Sequence, residues 1–446
     1  MPLPPGPKLS RAAQTVAWIA RPGPFLFRAH REYGDVFTIH FGAEPPWVVL
    51  AHPDAVREVF TGDAAALHAG KANLVLLPFL GSSSVLLLDG PAHLRQRKLM
   101  LPPFHGARMA GYQEDVRRIA REHIARWPRD GALKLAPRLQ EITLDVVLRV
   151  IFGVREHDAG LDELRARLRR MMAGVMGGPS LLALLALGPR RSDELGVYRP
   201  ILRPVDKLLL GQIAARRADP GDDVLSLLLA ARHTQTTSAG PAGEAGPAAT
   251  SSGTGEDGSP MTDRELRDEL VTLLVAGHET TATALAWAVE RLVRTPGGWD
   301  RLRAGGEEYA EAAGKEALRL RPVLPVVLRH LQRDMTIAGH DLAAGTVVAP
   351  CIQLVHRRPE IYPEPARFLP ERFLGPEPEG GTYTWIPFGG GVRRCIGAAF
   401  AMMELRIVLT ELAAALELAP ARPEMEPTTR RTITLVPARG AEVVVS

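Results

Sequence analysis

Between residues 262 and 294 the chain runs without proline through a pattern that asks for one long helix. Thr262 and Glu265 stand at the spacing of a capping box, in which hydroxyl and carboxylate each satisfy a free N–H of the first turn. Leu270, Leu273, Leu274, Gly277, Thr281, Ala284, Leu285 and Ala288 then recur at intervals of three and four, an apolar face at helical period that ends about Arg294, before Pro296. A helix of this length crosses a whole core, so the remaining chain has to be arranged around it.

That remainder reads as mainly α with minor β. Val36 to His40 and Trp47 to Leu50 have the pattern of two short strands around a Gly42 to Pro46 turn, a small sheet near the N-terminus. Helical periods follow at Asp54–Phe60, Ala92–Met100, Tyr112–Ile124, Leu139–Ile151, Leu161–Met172, Pro204–Arg217, Asp223–Arg232 and, late in the chain, Ala398–Leu418. The opening Pro2-Leu3-Pro4-Pro5-Gly6-Pro7 is expected to be an extended lead-in, because proline fixes φ and lacks the donor. Residues 233–260, rich in Ser, Thr, Gly, Ala and Pro without an apolar period, predict a flexible surface loop within a single domain spanning residues 1–446.

With 46% hydrophobic and 23% charged residues, the 446-residue chain has the composition of an ordinary globular protein. The 54 basic and 50 acidic side chains leave only +4, too little for a nucleic-acid binder. Two cysteines, Cys351 and Cys395, exclude a disulfide framework. The longest apolar run, Leu181 to Leu187, is far short of the roughly 18 to 20 residues that span a bilayer, and no signal peptide opens the chain. The expectation is a cytoplasmic protein without a membrane anchor. Only six of the basic residues are lysines, which with abundant Ala, Gly and Pro suggests a GC-rich bacterial genome.

The sharpest chemical feature is Phe388-Gly389-Gly390-Gly391-Val392-Arg393-Arg394-Cys395-Ile396-Gly397, placed directly before a helical run. Free N–H groups and the positive end of a helix dipole lower a thiol pKa and favour thiolate. Flanking glycines let backbone approach a flat ligand, and Arg393 offers a forked donor for a carboxylate. No CxxC or His pair accompanies Cys395, so a zinc site is disfavoured and a metal carried by a macrocycle fits better.

This loop resembles the haem-binding signature FxxGxRxCxG of the cytochrome P450 family, matching at Phe388, Gly391, Arg393, Cys395 and Gly397. Ala276-Gly277-His278-Glu279-Thr280-Thr281, inside the long helix, resembles the family's oxygen-activation motif; glycine beside hydroxyl-bearing residues weakens the local ladder and can open a groove. By resemblance Thr280 would hydrogen-bond the dioxygen-derived group on the iron and Glu279 would relay protons, with His278 a bystander. Glu316-Ala317-Leu318-Arg319 matches the ExxR pair and Pro370-Glu371-Arg372-Phe373 the PERF segment. Glu316, Arg319 and Arg372 would then form a network that holds the cysteine loop. His93 and Arg97, four apart on one helical face, Arg329 and Arg393 are candidates for the haem propionates.

The resemblance spans nearly the whole chain to the Ile433–Pro437 strand, and departs from the family in the inserted 233–260 loop and a short stretch between Pro296 and Glu316. It implies the cytochrome P450 fold, with small N- and C-terminal sheets about the central helix. It implies haem b bound through Cys395 and one oxygen atom of O2 inserted into an apolar substrate: terpenoid, fatty acid, steroid or polyketide-like. Pocket walls would be Leu86, Leu87, Leu273, Ala276, Val326, Val327, Leu328 and Ile433. Electrons would come from NAD(P)H through a ferredoxin or flavodoxin and its reductase, docking near Arg95, Lys98, Arg108 or Arg394 on a monomer. A peroxide-driven or isomerising enzyme ranks lower because Glu279 and Thr280 are both present, and a haem carrier or gas sensor lower still.

Overall fold

A computed structural model describes the chain except residues 43, 107, 155–160, 176–183, 185–186, 232–258 and 376–380. The insertion expected to be a flexible loop therefore lies almost wholly outside the described residues, as does most of the apolar run at 181–187.

The long helix is Asp263–Arg294, 32 residues, and its capping box forms as expected: Thr262 Oγ1 accepts from the Glu265 N–H, and Glu265 takes the Thr262 N–H. Burial differs from the single stripe that periodicity predicts. Asp268, Glu269, Thr272, His278, Glu279, Glu290 and Arg291 are buried along with the apolar face. The reason is packing on several sides, by helices Leu135–Phe152, Gly298–Leu320 and Ala398–Ala415. Near its middle the helix opens: Leu273, Val275, Gly277 and Thr280 are half-buried and Ala276 exposed.

Five strands form the N-terminal sheet, in the order Val36–Ile39, Trp47–Leu50, Val347–Pro350, Arg329–Leu331, Leu67–His68. Trp47–Leu50 runs parallel to Val347–Pro350 and the other pairs are antiparallel. This sheet brings Arg329 beside residues some 260 positions earlier, since Leu67 pairs with Leu331. A three-stranded sheet joins Gly131–Lys134, Glu442–Val445 and Leu418–Pro420.

Several boundaries move from the sequence expectation. The helix after the cysteine ends at Ala415, because Leu416 turns extended, its carbonyl accepting from Trp299 Nε1, and Leu418 pairs with Val445. Asp223 is a cap, its carboxylate taking the Ser226 N–H, and that helix stops at Ala230. Ile433 sits in the turn between Thr428–Arg431 and Thr434–Pro437 and not in a strand. Helices Arg11–Ala20 and Pro22–Tyr33 follow the extended lead-in, whose Pro4 and Pro5 carbonyls accept from Thr38.

Replacing Thr262 by Ala removes the capping hydroxyl and is expected to cost about 1 kcal/mol. The urea midpoint should fall, with Thr262→Ser close to wild type.

Candidate functional site

The cysteine loop is closed on itself before it reaches its helix. Cys395 N–H donates to the Phe388 carbonyl at 2.9 Å and Arg394 N–H to Gly391 at 3.1 Å, and Gly397 caps the helix Ala398–Ala415. The glycines answer to protein more than to an approaching ligand: a methyl at Gly390 would lie 2.1 Å from the Phe60 ring, and one at Gly391, whose φ is +62°, 2.0 Å from the Phe60 carbonyl. Helix Pro53–Thr61 thus presses directly on the loop.

Cys395 carries exposed surface, yet burial is the largest influence on its thiol and raises the pKa, against the Gly397 N–H, Arg97 and Arg394. On this thiol burial outweighs the Gly397 N–H. The charge of a bound metal ion would favour the thiolate.

Three guanidinium groups and an imidazole converge near it. His93 and Arg97 come from helix Gly90–Met100, Arg329 from the sheet and Arg393 from the loop. Arg329 is buried and driven down to about 10, by burial and then by Arg393; its guanidinium donates to the Leu328 carbonyl and lies 5.8 Å over the Phe60 ring. Burial, followed by Arg393 and Arg97, brings His93 to about 4, so it is neutral at pH 7. Arg97 is depressed by burial and raised by Cys395, which places it beside the sulfur. Among the described residues no carboxylate pairs with Arg97 or Arg329.

Asp89 is the one acid in this group, and sequence reasoning missed it. Its position before Gly90-Pro91 marks a helix cap, but the side chain makes no capping bond to that helix. Its carboxylate takes the Gly70 and Lys71 N–H groups at 2.8 and 2.9 Å and is paired with Arg393. Arg393 further donates to the Val85 and Leu88 carbonyls. One carboxylate against three guanidinium groups leaves a buried excess of positive charge, which fits a dianionic ligand such as haem with its two propionates.

The segment between is tied to the central helix as well. Ser83 N–H donates to Asp268 at 2.9 Å, Val85 N–H to Glu269 at 2.7 Å, and Thr272 Oγ1 to Ser84 Oγ at 2.7 Å. Glu269 is pushed up to about 8 by burial, with the Val85 N–H opposing.

The expected Glu316, Arg319 and Arg372 assembly is present. Arg319, fully buried, donates from Nε and Nη2 to both Glu316 oxygens at 2.6 and 2.7 Å. Its remaining donors reach the His356, Pro365 and Arg367 carbonyls. Glu316 also accepts the Leu369 N–H, and Arg372 Nε lies 3.6 Å from it. The link onward to the cysteine loop runs through a residue the sequence did not single out: His356 Nε2 accepts the Ile386 N–H at 2.8 Å. Burial first, then Arg319, lowers His356 to about 3.

On the central helix, Thr280 Oγ1 donates to the Ala276 carbonyl at 2.5 Å, while the helix itself continues without a break through Gly277. A methyl at Gly277 would meet Val147 at 3.3 Å, so the glycine also serves close packing against Leu135–Phe152. His278 is a pin between helices: Thr143 Oγ1 donates to its carbonyl and bonds its Nδ1, both at 3.0 Å. Glu279 pairs with Arg431, a contact no motif announces.

The expected pocket residues come from three apolar clusters. Leu86, Leu87 and Leu273 pack on the largest, Val326 and Leu328 on the N-terminal one, and Val327 on the sheet cluster, 3.9 Å from a methyl placed at Gly389. Ile433 is 37% exposed at a hairpin tip. Of the expected docking cations, Arg394 and Arg108 are exposed, and Arg95 faces Glu265 at 3.9 Å.

Because His93, His278 and His356 stay neutral in the fold and protonate near pH 6.5 when unfolded, the stability they contribute is full above that pH and falls as pH drops toward 3. Melting temperature should decline between pH 7 and 5, and less steeply in His356→Gln, which keeps an acceptor for Ile386.

A profile of the cytochrome P450 family matches residues 4–185 and 248–445. A Mycobacterium tuberculosis (strain ATCC 25618 / H37Rv) protein provisionally named cytochrome P450 135B1 is 41% identical over 460 residues, covering 99% of this chain and 91% of the relative. Another from that strain, provisionally cytochrome P450 137, is 36% identical over 97% of this chain and 87% of its own length. Among solved structures, retinoic acid-bound cyanobacterial CYP120A1 superposes with a TM-score of 0.81 at 22% identity, covering 100% of this chain and 99% of that one. The cytochrome P450DA heme domain gives 0.79 at 20% identity, covering 100% and 98%. By fold, by signature loop and by relatives matched along nearly its whole length, this chain belongs to the cytochrome P450 family.

Proposed function

We propose that this cytochrome P450 hydroxylates an apolar substrate of terpenoid, fatty-acid, steroid or polyketide type, with electrons from NAD(P)H delivered by a ferredoxin or flavodoxin and its reductase. The observation that carries the reading is Cys395 beside Arg97, in a group of three guanidinium groups, Arg97, Arg329 and Arg393, with Asp89 paired to Arg393 alone among them. Cys395 would ligate the haem iron, and His93, Arg97, Arg329 and Arg393 would hold the propionates, with Phe388, Gly391 and Gly397 shaping the loop. When bound, haem supplies O2 binding and, through the thiolate's electron push, O–O cleavage.

The chain's own residues do the rest. Thr280, half-buried on the opened face of the central helix, would hold a proton donor at its hydroxyl, and Glu279 would pass protons to that position from the solvent side. Leu86, Leu87, Leu273, Ala276, Val326, Val327, Leu328 and Ile433 would exclude water and offer no charged partner, which favours an apolar guest. Exposed Arg394 and Arg108 support an acidic electron donor at the cysteine side. No described helix is long and apolar enough to cross a membrane, and we place the enzyme in the cytoplasm as a monomer.

The carbon monoxide difference spectrum of the dithionite-reduced protein tests this first. A strongly red-shifted Soret band is expected, and Cys395→Ala should abolish it. Thr280→Ala should keep haem but divert reducing equivalents to hydrogen peroxide; unchanged coupling would remove Thr280 from the scheme.

Arg329→Ala should speed haem transfer to apomyoglobin about tenfold or more, the scale of one charge-assisted hydrogen bond.

A further inference from the structure

The reading above leaves one charged contact of the site unused. Arg431 Nη1 donates to Glu279 Oε1 at 3.1 Å, joining the C-terminal hairpin to the middle of the central helix. The carboxylate is 7% exposed and the guanidinium 47%, so the pair stands at the boundary between interior and solvent. Among the described residues this is the only ion pair of Glu279. The neighbouring basic groups turn elsewhere: His278 bonds Thr143, and Arg430 lies 5.2 Å over the Trp18 ring.

The hairpin is built to keep Arg431 there. Strands Thr428–Arg431 and Thr434–Pro437 pair so that Arg431 faces Thr434 across a two-residue turn, Thr432-Ile433. Such turns want glycine or asparagine at a positive φ, yet Thr432, a β-branched residue, stands at +55°. The unfavourable conformation is held from both sides. Thr434 Oγ1 donates to the Arg431 carbonyl at 2.8 Å and Arg430 Nε to the Thr432 carbonyl. Lower down, Leu435 N–H donates to Val323 at 2.8 Å, and Trp287 Nε1 to the Leu435 carbonyl at 3.1 Å. Trp287 and Glu279 lie on the same helix, about two turns apart, so the hairpin is moored to it at root and tip. Strain retained by surrounding bonds beside a functional group points to a positional role.

We propose that Arg431 is a positioning residue for proton delivery. It fixes the Glu279 carboxylate at the solvent boundary, so that the group takes up a proton from solvent and passes it toward the Thr280 hydroxyl in a single orientation. An O–H bond forms at Glu279 as one breaks on the solvent donor; that bond then breaks as another forms at the acceptor, and the carboxylate returns to Arg431. Ile433, the proposed pocket wall, is two residues away on the same tip, so a substrate pressing on it would reach the carboxylate through Arg431. The proposal rests on the assignment of Glu279 as the proton relay.

The test uses the haem-loaded enzyme and four variants, Glu279→Gln, Arg431→Gln, Arg431→Lys and the Glu279→Gln/Arg431→Gln double. Their carbon monoxide difference spectra first establish equal haem loading. Amide hydrogen exchange of residues 430–434 should rise about two- to fivefold in each Gln single variant, the scale of a partly exposed ion pair. The double variant should rise no further than either single. NAD(P)H oxidation with a surrogate ferredoxin and its reductase should show its solvent deuterium isotope effect changed in the same direction by both Gln variants and restored by Arg431→Lys. Exchange effects that simply add in the double variant would overturn the contact. An isotope effect altered by Glu279→Gln but untouched by Arg431→Gln would overturn the positioning role alone. An isotope effect unmoved by Glu279→Gln would overturn the relay assignment itself, and the proposal with it.

Discussion

A fully buried ion pair, Glu316 with Arg319, anchors the chain that leads into the cysteine loop. Two charges without water are tolerated only when every lone pair and proton finds a partner, and breaking one side of such a pair costs about 3–5 kcal/mol. Arg319 meets that demand by sending its fork to both Glu316 oxygens and to three backbone carbonyls, of His356, Pro365 and Arg367. Those carbonyls belong to irregular chain with no sheet or helix to order it. The pair therefore acts as a template: satisfying one guanidinium dictates the course of residues 356–369, and His356 then carries the order to Ile386, at the entrance of the loop. The Tyr362 hydroxyl, donating to Thr384 while Arg319 lies over its ring at 5.0 Å, adds a second strut.

Around the sulfur the logic reverses. Where Glu316 and Arg319 neutralise each other, Arg97, Arg329 and Arg393 share a single acid, Asp89, which is itself engaged by two backbone N–H groups. Burial lowers both Arg329 and Arg393 to about 10, so both remain cationic at neutral pH in spite of their desolvation. One network is closed and structural; the other is open and waits for a ligand. The distinction lies in how many donors remain, since the residue types are nearly the same.

Much of this was legible in the sequence because it is written in local patterns. The capping box at Thr262, the helix that follows and the Phe388–Gly397 loop each occupy consecutive residues, and short-range physics gives them their form. The ExxR and PERF segments could be matched as motifs, though which backbone carbonyls Arg319 would serve was not readable, since those partners lie 37 to 48 positions away. Asp89, His356 and Arg431 escaped for that reason. Asp89 looks like a helix cap, His356 like a surface histidine beside two arginines, and Arg431 like one of many basic residues. Their roles exist only once distant chain has folded against them. The sequence pattern assigns the loop glycines to the approach of a flat ligand, whereas at Gly390 and Gly391 the group that approaches is Phe60, which lies far earlier in the chain.

The stretch from Ser82 to Asp89 is fastened at both ends, to Asp268, Glu269 and Thr272 on the central helix and through Asp89 and Arg393 to the cysteine loop. A beam clamped at its two supports can bow in the middle but cannot swing like a gate. Leu86 and Leu87 lie in that span, the Leu86 carbonyl held in turn by Asn73 Nδ2 at 3.2 Å. Any displacement of the pair would therefore load both supports together, the central helix on one side and the cysteine loop on the other.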